Sequence, residues 1–235
     1  MKHLILDCGG VLVYPRLGEW TLPFSAARIL GEHSGDLFTA KYLLAHRQCA
    51  MWLDEARPMK DVEDERRVRW AYIRAMDAQM GWHLSEDAIC QLGDDFTDNM
   101  DRYGFFADVE PWLARWQAQG LSLAILSDAM PSILVFMEQA GLMRYFDAAV
   151  ISTQVGAIKP DAKMYAAILK KLGAEAGDCL FVDDKAENLE GAVQAGMRAV
   201  QMARSATLPA RLWDGPVVRD FEGLNRWMEK SEANP

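Results

Sequence analysis

Leu180-Phe181-Val182-Asp183-Asp184 is an apolar run that ends on two carboxylates, and residues 186–195 behind it read as a helix stopped by Gly196. An apolar run that feeds a helix is half of a β–α–β unit, whose strand is buried on both faces. The same pattern repeats on either side. Leu121–Leu126 reads as a buried strand ending on Ser127-Asp128, Ala148–Ser152 as another, and Ala199–Met202 as the final one. Residues 111–119, 131–140 and 161–172 read as the intervening helices, closed by Gly120, Gly141 and Gly173. In the third of these, Met164, Tyr165, Ile168, Leu169 and Leu172 share one face. At the start of the chain, Leu4-Ile5-Leu6 runs into Asp7-Cys8-Gly9-Gly10.

Residues 17–100 break the alternation. They contain no convincing strand, and 24–30, 37–50, 60–80 and 86–96 read as helices, with Ser85 as an N-cap. The fold class expected is therefore α/β, a Rossmann-like parallel sheet core with an inserted α-helical cap domain. Its bounds are 1–16 and 101–235 for the core and 17–100 for the helical cap. An insertion at a strand tip is expected over the ligand crevice, as a lid. Trp20, Trp52, Trp70 and Trp82 are expected to pack the core of the cap, and Trp112 and Trp116 to face the sheet. The tail Ser231–Pro235 is expected to fray.

Composition narrows the partners. Of 235 residues, 25 are Lys or Arg and 34 are Asp or Glu, a net charge of -9 that argues against nucleic acid. No apolar run approaches the roughly 20 residues of a membrane span. The four cysteines, Cys8, Cys49, Cys90 and Cys179, form no CxxC pair and no metal spacing. With no leader at Met1-Lys2-His3, a cytoplasmic setting is expected. A monomer is expected, with a dimer open.

Strand tips of an open α/β sheet converge on one crevice, so the groups that end these runs meet in space. A buried carboxylate such as Asp7 is costly unless paired or metal-bound, and can act as a nucleophile on phosphorus. Gly9 and Gly10 let backbone approach a ligand closely. Ser127 and the following N–H suit phosphate oxygens, while Asp128 alternatively caps the next helix. Lys159, fixed before Pro160, is a point charge for a phosphate or an aspartate pair. Asp183 and Asp184 repel each other unless a hard cation neutralises them, and Asn188, one turn on, orients an acid or the lysine. Tyr14, Arg16 and Arg47 read as surface residues, and the four histidines receive no role.

With these four pieces in order, the chain resembles the haloacid dehalogenase (HAD) superfamily of hydrolases, best over residues 1–13 and 104–202. GAIKPDAKMY followed by LFVDDKAENLEGAVQAGM is the most specific part. It looks like the branch with a helical cap after the first motif, which includes sugar-phosphate phosphatases and the phosphatase domain of epoxide hydrolases. The resemblance implies a Mg2+-dependent phosphatase acting on a small phosphorylated substrate. It implies Asp7 as nucleophile and magnesium ligand, with the Gly9 carbonyl as a second ligand. Ser127 and the Asp128 amide hold phosphate, and Lys159 balances charge. Asp184 binds magnesium directly, with Asp183 acting through water or on Lys159. The family commonly has a second Asp, an acid–base group, where this chain has Gly9, so good leaving groups such as a sugar 1-phosphate are favoured. Two alternatives stay open: a catalytically weak or non-catalytic phosphoester-binding protein, and a metal-independent haloacid dehalogenase.

Overall fold

A computed structural model describes residues 1–18, 20–55, 58–204 and 213–233, with the backbone alone for 51–55 and 232. The first strand is β1 (His3–Leu6), followed by β2 (Val13–Pro15). Four helices come next: α1 (Ala26–Leu30), α2 (Ala40–Glu55), α3 (Val62–Met80) and α4 (Glu86–Asp98). The chain continues through β3 (Tyr103–Phe105), α5 (Val109–Ala118), β4 (Ser122–Ser127) and α6 (Ser132–Gln139). Then come β5 (Ala148–Ile151), the one-turn α7 (Ser152–Val155) and α8 (Ala162–Leu172). The order ends β6 (Cys179–Asp183), α9 (Ala186–Gln194), β7 (Arg198–Met202), β8 (Val217–Val218) and α10 (Phe221–Ala233).

Six strands form one sheet in the order β5-β4-β1-β6-β7-β8. Every pairing is parallel, as the β–α alternation requires. Register sets the site: Leu6 faces Ile125 on one side and Val182 on the other. One residue further on stand Asp7 and Asp183, and Ser127 lies two residues beyond Ile125, so the three crowd the same edge of the three central strands. The strands are apolar because both faces are covered. Ile5, Leu126 and Phe181 pack with Met164, Ile168 and Leu189 of α8 and α9. Trp116 of α5 is buried, packs its indole 4.9 Å from the Phe221 ring of α10 and donates to Asn225 Oδ1 at 3.0 Å. Trp112 is half-buried beside it.

The chain divides into two compact units. One comprises Met1–Tyr14, Phe105–Ala129 and Met137–Pro235; the other comprises Pro15–Gly104 and Met130–Phe136. Residues 130–136 thus group with the helical unit, whereas the sequence reading drew that unit as 17–100 alone. Two of the passages between units, at 14–15 and 104–105, fall in a two-stranded ribbon of β2 with β3. These three-residue strands are too short to leave a period in the sequence.

Within the helical unit, α3 starts at Asp61, whose carboxylate accepts from Asp64 N–H, and α4 starts at Ser85, whose hydroxyl accepts from Ala88 N–H. Tyr72, Ile73, Met76, Trp82, Leu92 and Phe96 form its core. α3 and α4 approach closely at Gly93, where a Cβ would stand 2.3 Å from Trp70 Cδ1. Of the tryptophans assigned to this core, Trp82 is buried and Trp70 half-buried, but Trp20 is exposed. The Trp52 side chain lies outside the described residues.

Two expectations at the C-terminal end are corrected. Ala199–Met202 is not the last strand: Val217–Val218 adds a short edge strand beyond it. The tail is helical through Ala233, and residues 234 and 235 lie outside the described residues. All four cysteines are free, and no described helix is long and apolar enough to cross a membrane.

Candidate active site

All the residues singled out in the sequence motifs lie in the sheet-containing unit. Asp7 follows β1, with its N–H donating to Val182 O at 2.9 Å. The chain then turns tightly: the Cys8 carbonyl accepts from the N–H groups of Leu12 and Val13 at 2.8 and 2.9 Å. Gly10 takes φ +69, the left-handed region that favours glycine. Asp7 is buried, and its Oδ1 is 2.9 Å from Lys159 Nζ. That contact is an ion pair rather than a directed hydrogen bond, because the Oδ1 atom has no hydrogen-bond partner. Burial pushes the Asp7 carboxyl up to about 6; Lys159 opposes this, Asp183 adds to it, and the Ser127 hydroxyl opposes it.

Lys159 is 1% exposed at its side chain. Its Nζ donates to Asp183 Oδ2 at 2.6 Å and to Leu126 O at 3.1 Å. Burial lowers its pKa, but Asp183, Asp7 and Asp128 outweigh burial and hold the ammonium well above its ordinary value. Asp183 is wholly buried and fully used. Beyond Lys159 it accepts from Lys185 N–H at 2.8 Å, and Asn188 Nδ2 donates to its two oxygens at 3.1 and 3.0 Å.

Asp184 differs. It is half-buried, and among the described residues its carboxylate takes no hydrogen bond. Burial, then the charges of Asp7 and Asp183, push it up to about 7. Ligand atoms of Asp7, Asp183 and Asp184 lie within 4.8 Å of one another. Three carboxylates against one ammonium leave excess negative charge. Hard oxygen donors, with Asp7 Oδ1 ion-paired to Lys159 but taking no directed hydrogen bond, fit a hard divalent cation such as magnesium.

Asp128 does not cap α6. Its Oδ1 accepts from Lys159 N–H at 2.9 Å, and the Ser132 N–H that opens the helix goes to Glu65 Oε2 at 2.8 Å. Burial raises the Asp128 pKa, against the pull of Lys159. Ser127 is buried at the end of β4. Tyr14, Arg16 and Arg47 are exposed.

Sequence reasoning missed two residues that fix this edge. Gln201 Nε2 donates to Asp184 O at 2.9 Å. Arg204 Nε donates to Val11 O at 2.8 Å while its Nη1 pairs with Asp108 at 2.8 Å. A polar residue inside the apolar run Ala199–Met202 was the available signal for Gln201. Nothing local marks Arg204.

The chain is 34% identical over 142 residues to Phosphatase MT3486 of Mycobacterium tuberculosis, covering 57% of this chain and 63% of that protein. It is 35% identical over 105 residues to Enolase-phosphatase E1 of Sorangium cellulosum, covering 43% and 45%. The matched region thus spans less than two thirds of either relative. In fold, it superimposes on the L-2-haloacid dehalogenase of Xanthobacter autotrophicus with TM-score 0.67 at 19% identity, covering 97% of this chain and 98% of that one. A family model of the haloacid dehalogenase-like hydrolases matches residues 1–196. The chain belongs to the haloacid dehalogenase-like hydrolase family.

Proposed function

We propose that this hydrolase is a magnesium-dependent phosphatase that acts on a small phosphorylated metabolite through a phosphoryl-aspartate at Asp7. The observation that carries this reading is the charge imbalance: three clustered carboxylates, one buried ammonium and a buried Asp7 oxygen with no hydrogen-bond partner. Asp7, the Gly9 carbonyl and Asp184 would hold the cation, since both oxygens of Asp183 are already engaged. Bound there, magnesium supplies positive charge to the phosphoryl oxygens.

The chain's own groups do the rest. Asp7 Oδ attacks phosphorus, and the bond from phosphorus to the leaving oxygen breaks. Lys159 neutralises the charge shared by Asp7 and the transferring group, and the Ser127 hydroxyl with the Asp128 N–H holds phosphoryl oxygens. Water then attacks phosphorus, which frees inorganic phosphate and restores the Asp7 carboxylate. Gly9 offers no side-chain acid, and Asp128 Oδ1 is committed to Lys159 N–H. With no side-chain acid at position 9, turnover favours anomeric, aryl or acyl phosphates, whose leaving oxygens need less protonation.

The dehalogenase reading meets the same charges in the opposite sense. A haloacid carries its own negative charge and brings no cation, so the acidic cluster would stay unneutralised around it. The test is release of phosphate and of halide over a panel of phosphorylated metabolites and 2-haloacids, with and without Mg2+. Magnesium-dependent phosphate release supports the proposal. Halide release without magnesium contradicts it.

A further inference from the structure

Gln201 is a wholly buried amide in a strand whose neighbours Ala199, Val200 and Met202 are apolar. A polar side chain in that position is costly unless its hydrogen bonds are made. They are made to particular targets. Its Nε2 donates to the Asp184 carbonyl at 2.9 Å, and its Oε1 accepts from Trp213 N–H at 3.4 Å.

The Asp184 carbonyl receives no helical N–H. It lies one residue ahead of Lys185, the N-cap of α9, and the first helical N–H groups, on Asn188 and Leu189, both go to the Lys185 carbonyl. No turn of α9 reaches back to Asp184. The Gln201 amide, projecting from the adjacent strand, supplies what the helix does not. On the other side, the Asp184 carboxylate lies against the bare Cα of Gly10, where a Cβ would stand 2.8 Å from Asp184 Oδ2. Asp184 is thus fixed at its backbone by one residue and bounded at its side chain by another.

We infer that Gln201 is a positioning residue for cation binding: it fixes the Asp184 peptide so that the carboxylate faces Asp7 before the cation arrives. The inference rests on the magnesium reading proposed above. Gln201 itself touches neither cation nor substrate. Partners one step behind the ligands of a metal site commonly change affinity about 10- to 100-fold when removed.

The test is calorimetric titration of Mg2+ alone into the full chain, stripped of metal by chelator, for the wild type and Gln201→Met. Methionine keeps the length and loses the donor. Expected is a dissociation constant for Mg2+ raised about tenfold or more in the variant, with turnover recovered at saturating Mg2+. A merely structural amide would lower the unfolding midpoint in chelator and leave the magnesium dissociation constant unchanged; that result overturns the inference. A wild type that binds no Mg2+ overturns the metal reading and this inference with it, whereas an unaltered variant beside a binding wild type overturns the Gln201 role alone. Should Gln201→Met not fold, the side-chain amide resonance of Gln201 is followed in the wild type during Mg2+ titration. A shift that saturates with the calorimetric constant supports the role, and an unmoved resonance overturns it.

Discussion

The Lys159 ammonium and the Asp183 carboxylate are held 2.6 Å apart with 1% and 0% of their side chains exposed. Both oxygens of Asp183 are engaged, so it serves nothing beyond this edge. Asn188 and the Lys185 N–H complete the shell of Asp183, so the carboxylate is a fixed base on which Lys159 rests and from which it reaches Asp7. A buried pair of this kind adds little net stability compared with an apolar pair, but breaking it strands a charge.

Asp183→Ala is therefore expected to cost about 3–5 kcal/mol of unfolding free energy, because Lys159 loses its shortest partner. Chemical denaturation of the variant in chelator checks this. A loss below about 1 kcal/mol, the scale of an exposed pair, would mean that Asp183 does not anchor Lys159.

Stability should respond to pH in a direction set by two acids. Asp7 and Asp184 are pushed up to about 6 and about 7, from a usual 3.8, chiefly by burial. The folded chain therefore binds more protons than the unfolded one between those values, and stability falls as pH rises. In chelator, the unfolding midpoint is expected to drop between about pH 5 and pH 8, and added Mg2+ to restore it most at the upper end. A midpoint that climbs over that interval in chelator would contradict the charge assignment.

Gly10→Ala places a Cβ 2.8 Å from Asp184 Oδ2 on a backbone at φ +69. The left-handed conformation alone costs about 1–2 kcal/mol for a residue with a Cβ, and the carboxylate must move. Expected is a Mg2+ affinity lowered by about tenfold or more, read by titration of the metal-free variant. Wild-type affinity in a folded Gly10→Ala would show that the Asp184 carboxylate does not need its observed position.

The absence of an acid at position 9 has a signature in substrate preference. Glucose 1-phosphate should turn over faster than glucose 6-phosphate, and Gly9→Asp should raise the rate on the poorer leaving group by about 100-fold or more. Equal wild-type rates on the two esters, with no gain in the variant, would sink the leaving-group argument.

Much of this was legible in the sequence because a buried parallel strand must be apolar and must stop where a polar group is wanted. Asp7, Ser127 and Asp183 are legible that way, each at the end of such a run, and Lys159 through the proline that follows it. The helices α3, α4, α8 and α9 were legible from caps and periodicity. What the sequence hid depends on distance in space. β2 and β3 exist because each supplies the other's hydrogen bonds. Gln201 matters because β7 lies beside β6, and Arg204 because Val11 and Asp108 come within its reach. The committed Asp128 carboxylate was also hidden, since its partner is a backbone N–H 31 residues away.

The central claim is covalent: phosphorus passes through Asp7. Rapid acid quench of the Mg2+-loaded chain during turnover of a phosphate ester, followed by mass spectrometry of the peptide that carries Asp7, tests it directly. The expected result is a phosphoryl group on Asp7, absent from Asp7→Asn, which releases no phosphate. Phosphate release that persists in Asp7→Asn, or turnover with an unmodified Asp7 peptide at every quench time, would contradict the claim.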